Sequence, residues 1–348
     1  MADKVYRVAL SGDFILANGQ PSLPHFDIAR LRQTRNVEVA TVGRGPVLGA
    51  AELAGFDALI LLMPRFAPTS VPADGRLSVI ARGGVGYDTV DLDACTLNGI
   101  AVVITPDAVR RPVAVSVVTF VLALSGNLMA LDRITRRGPW VDRTHYTGVG
   151  LIGRSFGQLG IGNIGAEVVR LMRPFEMRII AHDPFVKPET AKAMGIEMVD
   201  LETLFRQSDF LSVSCPLNEQ TRGLVNGERL ALMKPSAYLI NTSRGPVVDQ
   251  KALTKALQER RIAGAGLDVL EKEPPEPDDP ILSLDNVILT PHSLCWTDQM
   301  FSTMAGLDSD AVLSVMHGRV PVNVVNRAVI ESAKFKNKLA DYRRRFGG

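Results

Sequence analysis

Short runs of β-branched and aliphatic residues alternate with polar, helix-compatible segments along the chain. Five such runs lie within the first 105 of its 348 residues: VYRVAL, VEVATV, ALILLM, LSVIAR and IAVVIT. Strands that alternate with helices at this spacing form a parallel sheet with helices on both faces. The pattern therefore predicts an α/β fold based on a doubly wound parallel sheet.

The alternation is interrupted once and then begins again. Residues 112–131 carry no charged side chain, and an irregular, aromatic and basic connection from Asp132 to Gly150 follows them. Six further runs come next: SFGQLG, MRIIAHD, DFLSVSCP, AYLINTS, GAGLDV and NVILTPH. We predict a first unit over residues 1–104 and a second doubly wound unit over 105–297. The segment from Asp298 is too short to fold alone and should dock elsewhere, as on the first unit, and its basic end is interpreted as a solvated, frayed helix.

Composition excludes several classes of function. Hydrophobic residues make up 46% of the chain and charged residues 22%, which supports sizeable cores and excludes wholesale disorder. The 39 Lys and Arg against 37 Asp and Glu give a net charge of +2, so no global field favours nucleic acid or an anionic membrane. Cys95, Cys215 and Cys295 are dispersed and suggest neither a disulfide framework nor a zinc site. We therefore expect no metal and a reducing cytoplasm.

The uncharged stretch at 112–131 matches the length of a membrane span, which is roughly 20 residues. Its Pro, Ser, Thr, Gly and Asn content and its solitary position in mid-chain favour a helix buried within a soluble protein instead. The N-terminus, MADKVYRVAL, passes directly into a strand pattern and lacks the features of a secretory signal. The sequence therefore predicts a cytoplasmic protein without membrane contact.

The most informative short motif is Gly160-Ile161-Gly162-Asn163-Ile164-Gly165. It follows the strand run SFGQL and precedes an amphipathic helix pattern, AEVVRLMRPF. Glycines at these positions permit a tight turn and let the backbone approach a pyrophosphate at the positive end of the helix. The next strand run ends in Asp183, 18 residues after Gly165, where a carboxylate would bind the adenosine ribose and repel the extra phosphate of NADP. The motif in this context predicts NAD as the cofactor.

Three charged side chains follow later strand runs of the same unit: Arg244, Glu273 and His292. In open α/β sheets the ligand crevice lies outside the carboxyl ends of the strands, so these groups should converge. An imidazole can take the hydroxyl proton of a 2-hydroxy acid while hydride leaves the carbon, and a carboxylate can fix its tautomer. An arginine can bind the substrate carboxylate and polarise the carbonyl. Each residue alone also fits an ordinary surface pair or a strand-end histidine, but their occurrence together after a dinucleotide motif favours hydride transfer.

Longer stretches resemble one family in both order and spacing. They are GGVGYDTVDLDAC, NGIAVVITPDAV, LGIGNIG, SDFLSVSCPLNEQTRGLVN, MKPSAYLINTSRGPVVD, AGLDVLEKEPP and LTPH. Over roughly residues 55–325 the chain resembles the D-isomer-specific 2-hydroxyacid dehydrogenases, which include phosphoglycerate dehydrogenase and glyoxylate/hydroxypyruvate reductase. The resemblance implies NAD-dependent interconversion of a D-2-hydroxy acid and its 2-keto acid.

The resemblance also implies roles for individual residues. Arg244, Glu273 and His292 take the catalytic positions, and Arg244 and His292 also contact substrate and cofactor. The amides of Val85 and Gly86 hold the substrate carboxylate. The cofactor site is expected to comprise Gly160, Gly162, Asn163, Ile164, Gly165, Asp183, Cys215, Pro216, Thr221, Thr242, Ser243 and Asp268.

The family architecture implies a flavodoxin-like substrate domain and a Rossmann NAD-binding domain with a cleft between them. In this chain the substrate domain would comprise residues 1–104 and 298–348, and the NAD-binding domain residues 105–297. A homodimer is implied as well, held by the helix and arm at 112–150, in which Trp140 lies.

The physiological acid is left open by the sequence. Ala114-Val115-Ser116-Val117 departs from the common family pattern near the nicotinamide, and Ser214 stands where many members have histidine. We hypothesise that Arg65, alone or with Arg110 or Arg111, recognises a second anionic or polar group of the substrate; solvated surface arginines are the alternative. Two other functions fit the same motifs: an NAD(H)-sensing protein similar to the family's corepressors, and an enzyme with formate or phosphite as hydride donor.

Overall fold

The computed structural model describes residues 5–138 and 140–347, and these residues form two compact units. The first unit contains the chain up to Val109 and again from Trp296, and the second contains Arg110–Cys295. The strands of the first unit are β1 Tyr6–Ser11, β2 Val37–Val42, β3 Ala58–Leu61, β4 Val79–Arg82 and β5 Ala101–Ile104. Those of the second are β6 Ser155–Leu159, β7 Arg178–His182, β8 Glu197–Met198, β9 Phe210–Val213, β10 Tyr238–Asn241, β11 Gly264–Leu267 and β12 Val287–Leu289.

The helices connect these strands and cover the sheets. In chain order they are α1 Ala29–Gln33, α2 Ala50–Leu53, α3 Leu92–Leu97, α4 Pro106–Ser125, α5 Leu128–Arg137, α6 Asn163–Met172, α7 Pro188–Ala193, α8 Leu201–Gln207, α9 Gly227–Leu232, α10 Gln250–Gln258, α11 Asp298–Met316 and α12 Ala333–Phe346.

Both sheets are parallel throughout their described strands. The first has the order β2-β1-β3-β4-β5, and the second the order β12-β11-β10-β9-β6-β7-β8. These are the flavodoxin-like and Rossmann orders, the latter extended by one strand at its edge. Strands such as β3, ALIL, are buried on both faces, which is why they are continuous apolar runs. The predicted α/β fold with doubly wound parallel sheets is confirmed, and β8 is the short strand that the sequence pattern did not reveal.

The uncharged stretch at 112–131 forms two helices and not one. Helix α4 begins at Pro106, before the stretch, and ends at Ser125; Asn127 then adopts a left-handed conformation (φ 50°) that ends the helical hydrogen-bond pattern before α5 begins. By length and composition α4 is able to cross a membrane, but its side chains Val117, Phe120 and Val121 are buried in the core of the second unit. This helix therefore packs as the core helix of a soluble protein does.

The basic C-terminal segment differs from the solvated, frayed helix predicted for it. Phe335, Leu339, Tyr342 and Phe346 form a buried stripe along α12 with helical spacing, which places the helix firmly on the first unit. Lys338 donates hydrogen bonds from Nζ to carbonyl oxygens at 2.6 and 2.8 Å, and burial lowers its pKa to about 8. The prediction was wrong because the charged residues concealed an apolar face with a repeat of three to four residues.

Candidate active site

The glycine-rich loop joins β6 to α6 at the point where the second sheet reverses its strand order. Gly160 adopts φ +88°, and a Cβ there would lie 3.0 Å from the backbone nitrogen of Cys215. A Cβ on Gly165 would lie 2.1 Å from the carbonyl oxygen of Gly160, so this position requires glycine. No atom lies within 4 Å of a Cβ built on Gly162, which leaves space outside the loop at the first turn of α6, where Asn163 and Ile164 lie. Phosphate oxygens can reach the helix amides through such a space.

Asp183 directly follows β7 and is bound to the glycine-rich loop. Its Oδ2 accepts a hydrogen bond from the backbone N–H of Ile161 at 2.7 Å, and its Oδ1 accepts one from that of Phe185 at 2.9 Å. The carboxylate is thus fixed beside the loop at the end of the neighbouring strand. This is the placement that ribose recognition requires.

The segment after β9 forms one wall beside the glycine-rich loop. Cys215 is buried, and burial raises the pKa of its thiol to about 11, which makes it a packing residue and not a nucleophile. Thr221 donates a hydrogen bond from Oγ1 to the carbonyl oxygen of Pro216 at 2.5 Å. Thr242, after β10, has a buried Oγ1 without a hydrogen-bond partner among the described residues. That hydroxyl is a polar group for which a dinucleotide would supply a partner.

Asn241, the last residue of β10, shapes the turn that carries Arg244. Its side-chain amide donates to the carbonyl oxygen of Arg244 at 3.0 Å, and its Oδ1 accepts from Ser243 Oγ at 2.8 Å. A Cβ on Gly245 would lie 1.8 Å from the carbonyl oxygen of Leu270, so the next loop passes directly over this turn. Asn241 was not predicted as a site residue from the sequence. Its position in the NTSRG stretch, three residues before Arg244, was the feature that could have indicated its role.

Asp268 organises the segment that follows β12. Its buried Oδ1 accepts hydrogen bonds from Thr290 Oγ1 at 2.6 Å, Ser293 N at 3.0 Å and Leu294 N at 3.1 Å. Its carbonyl oxygen accepts a fourth from the backbone N–H of His292 at 2.8 Å. His292 adopts a left-handed conformation (φ 54°), which is uncommon for a residue other than glycine. The surrounding hydrogen bonds therefore hold His292 in a conformation that an isolated peptide would seldom adopt.

Glu273 and His292 form a hydrogen-bonded pair of a carboxylate and an imidazole within the second unit. Nδ1 of His292 lies 2.8 Å from Oε2 of Glu273, whose Oε1 accepts a hydrogen bond from Leu270 N at 2.9 Å. Burial raises the pKa of the Glu273 carboxyl, but the hydrogen bond and charge of His292, with help from Leu270 N and Arg244, outweigh burial and lower it. Glu273 is therefore ionised at neutral pH and can only accept, so Nδ1 carries a proton. Nε2 is left for another ligand. The side chains of His292 and Glu273 are 39% and 34% exposed.

The predicted substrate residues lie in separate places. In the first unit, Val85 and Gly86 follow β4 and are partly exposed, and the exposed Arg65 follows the adjacent strand β3. Arg110 and Arg111 instead contact α6 in the second unit. Arg110 Nη1 lies 3.4 Å from Asn163 Oδ1, and Arg111 Nε lies 2.6 Å from Glu167 Oε1.

Known proteins resemble this chain in sequence and in fold. The sequence profile of the D-isomer specific 2-hydroxyacid dehydrogenase NAD binding domain matches residues 118–293. A glyoxylate reductase of Korarchaeum cryptofilum is 40% identical over 279 residues, which cover 79% of this chain and 84% of the relative. A D-3-phosphoglycerate dehydrogenase of Methanocaldococcus jannaschii is also 40% identical, over 77% of this chain and 51% of its own length, so the chain spans about half of that relative. The structure of a glyoxylate reductase from Paecilomyes thermophila matches with a TM-score of 0.79 at 27% identity, and the match covers 92% of this chain and 98% of that one.

The chain therefore belongs to the D-isomer specific 2-hydroxyacid dehydrogenase family. It is an NAD-binding oxidoreductase similar to glyoxylate reductases, and it acts on CH–OH groups with NAD(P). The family, the enzyme class and the dinucleotide cofactor predicted from the sequence are confirmed.

The glycine-rich loop gives a test that separates folding from cofactor binding. Gly165→Ala forces a contact with the Gly160 carbonyl and should cost about 1–3 kcal/mol, visible as a lower Tm of the free protein. Gly162→Ala meets no neighbour, so its Tm should stay unchanged while its NADH affinity falls at least about tenfold. Calorimetry and NADH fluorescence titration measure the two effects. Unchanged NADH affinity in Gly162→Ala would show that the phosphates bind elsewhere.

Proposed function

We propose that the protein is an NAD-dependent D-2-hydroxyacid dehydrogenase that reduces a small 2-keto acid. The observation that carries this proposal is the Glu273–His292 contact of 2.8 Å. Because the carboxylate accepts a hydrogen bond from Nδ1–H, the proton sits on Nδ1 and Nε2 is left to face the substrate oxygen. The relatives named glyoxylate reductase support a small 2-keto acid as substrate.

The residues around the glycine-rich loop fit a dinucleotide. The open space beyond Gly162 suits a pyrophosphate, and the buried Thr242 hydroxyl lacks a partner among the described residues. We assign the pyrophosphate to the amides of Asn163 and Ile164, the ribose to Asp183 and the carboxamide to Asp268. The bound nicotinamide accepts or returns the hydride. The carboxylate of Asp183 would repel a ribose phosphate, so NADH should be preferred over NADPH.

His292 is assigned the proton transfer. In the oxidation direction its Nε2 takes the hydroxyl proton of the substrate while the hydride leaves the same carbon, and the carbon–oxygen bond becomes a carbonyl. In the reduction direction the same nitrogen returns the proton to the oxygen. Glu273 stabilises the imidazolium that forms and keeps the ring oriented.

Substrate binding is assigned to positive and hydrogen-bond-donating groups. The planar guanidinium of Arg244 can bind the carboxylate and polarise the carbonyl oxygen, and the amides of Val85 and Gly86 can donate to the carboxylate. We retain Arg65 as the residue that contacts the distal end of the substrate, because it is exposed in the segment that follows β3, and β3 lies next to β4 in the sheet. The contacts of Arg110 and Arg111 with α6 favour Arg65 over these two residues.

A substrate panel tests the function and the role of Arg65 together. The panel comprises small, branched, aromatic, dicarboxylic and phosphorylated 2-keto acids. Purified protein should reduce one of these classes rapidly with NADH and slowly with NADPH. Arg65→Ala should raise KM about tenfold for substrates with a second anionic group and little for glyoxylate. An equal effect on glyoxylate would remove Arg65 from substrate recognition. Tight NADH binding without turnover would favour a nucleotide-sensing role.

Replacement of the proton-transfer pair should reduce turnover and spare cofactor binding. His292→Asn should lower kcat by about 10²–10⁴-fold with the Kd for NADH nearly unchanged, because it removes the acid–base group. Glu273→Gln should lower kcat less, because the imidazole remains. Glu276→Gln is the matched control, since this exposed carboxylate pairs only with Lys272 among the contacts described. Wild-type turnover in His292→Asn would refute the assignment.

A homodimer formed through residues 112–150 is the proposed assembly. Leu128, Met129, Trp140 and Val141 are 58%, 45%, 62% and 82% exposed in the single chain, which is a large apolar surface for one segment. Sedimentation equilibrium should give twice the chain mass of 37.7 kDa, and Trp140→Glu with Val141→Glu should give the single mass. A monomer at micromolar wild-type concentration would contradict this assembly.

A further inference from the structure

Asp308, on α11, is a carboxyl group buried in the first unit without a role in the site proposed above. The residue is fully buried, and neither of its carboxyl oxygens has a hydrogen-bond partner among the described residues. A Cβ built on Gly83 would lie 3.6 Å from Asp308 Oδ2 and 2.9 Å from Met304 Sδ, so the carboxyl packs against the segment that leaves β4. A buried carboxyl without hydrogen-bond donors is costly, and such a group in a native protein requires an explanation.

Arg82 provides a cation at the same place. It is the last residue of β4, and its Nη1 donates a hydrogen bond to the carbonyl oxygen of Gly83. A Cβ on Gly84 would lie 2.2 Å from this Nη1, so the loop runs directly over the guanidinium. Gly84 is fixed from the other side, since its backbone N–H donates to Thr105 Oγ1 at 2.8 Å. Val85 and Gly86, the proposed carboxylate-binding residues, follow at once.

The Asp308 carboxyl changes its charge near pH 8. Burial raises the pKa of its carboxyl to about 8, and the positive charge of Arg82, at the end of the packed strand β4, opposes this rise in part. Below that pH the carboxyl is neutral and adds no negative charge beneath the loop. Above it, a carboxylate next to Gly83 offsets the positive potential that Arg82 contributes there.

We propose that Asp308 is a positioning residue for substrate binding, which acts through Arg82 to set the orientation and electrostatic potential of the loop at 83–86. In its neutral form it does not offset the positive charge of Arg82, and this charge attracts an anionic substrate toward the Val85 and Gly86 amides. In its ionised form it draws the guanidinium toward α11 and weakens that attraction. This inference rests on the proposed binding of the substrate carboxylate by the loop.

The test compares KM for the 2-keto acid between about pH 6.5 and 9.5 in four proteins, the wild type and three variants. Asp308→Asn keeps the shape of the neutral carboxyl and cannot ionise, and Asp308→Ala repeats the test without a side-chain amide. The control is Asp310→Asn, two residues along α11, where the exposed carboxylate pairs with Arg30 at 2.5 Å. As pH rises through about 8, KM should increase about fivefold more in the wild type and in Asp310→Asn than in the two Asp308 variants. Because the proposed catalytic residues are the same in all of them, any pH dependence of the chemical step itself cancels in the comparison.

A second measurement is independent of turnover. The unfolded Asp308 carboxyl ionises near its ordinary value of 3.8 and the folded one near 8, so the folded state holds an extra proton between these values and loses stability as pH rises through that window. The Tm advantage of Asp308→Asn over the wild type should therefore grow from about pH 5 to pH 8 and then level off.

The outcomes separate the two proposals. If the wild type reduces a 2-keto acid and Asp308→Asn keeps the same rise of KM with pH, the inference about Asp308 is overturned. If no 2-keto acid is reduced while the Tm difference follows pH as expected, the proposed function fails and the buried, titrating carboxyl stands. Unchanged NADH affinity in all three variants is expected, because Asp308 lies outside the NAD-binding unit.

Discussion

The hydrogen bonds that Asp268 accepts are the constraint on which the geometry of the Glu273–His292 pair depends. One buried oxygen binds a threonine hydroxyl and two backbone amides of the segment after β12, and this fixes His292 in a left-handed backbone conformation. Glu273 then accepts a hydrogen bond from Nδ1 of the His292 ring, and it lies on the loop that passes over the turn carrying Arg244. If the Asp268 contacts were lost, the imidazole would be free to rotate away from Glu273, and both its tautomer and its direction would be undefined. Asp268 therefore fixes the geometry of the Glu273–His292 pair through the backbone, apart from the cofactor contact proposed for it.

Carboxyl groups in this chain differ in function because their surroundings differ. Asp268 is buried among donors, and Asp183 accepts two backbone N–H groups beside the glycine-rich loop. Glu273 is half-buried beside an imidazole, and its pKa is lowered. Asp308 is buried without donors, and its pKa is raised. The same chemical group thus fixes a backbone segment, anchors the glycine-rich loop, pairs with an imidazole or stays neutral, according to burial and available donors. Sequence position alone could not separate these four environments.

Local patterns were sufficient to predict most strands and the glycine-rich loop. Apolar runs of four to six residues mark strands wherever both faces are buried, and the spacing from Gly165 to Asp183 is set by one helix and one strand. Other features depend on contacts between distant segments. The apolar stripe of α12 is stabilising only because the rest of the first unit packs against it. The break at Asn127 is a left-handed conformation of a single residue within an otherwise continuous apolar stretch. Asp308 was missed because its significance arises from Gly83, 225 residues earlier in the chain.

Strand register explains how residues far apart in sequence form one site. In the parallel ladder, Asn241 pairs with Leu267, and Leu267 pairs with Leu289, so β10, β11 and β12 end at the same level. Arg244 and His292 each lie three residues beyond a paired strand end, and Asp268 lies one residue beyond. A one-residue slip of β12 would move His292 away from Glu273 and would also exchange the buried and exposed faces of that strand. The packing that fixes the register therefore also fixes the distance between Glu273 and His292. A chain with a net charge of only +2 can thus bring an arginine, a carboxylate and an imidazole to one edge of its sheet.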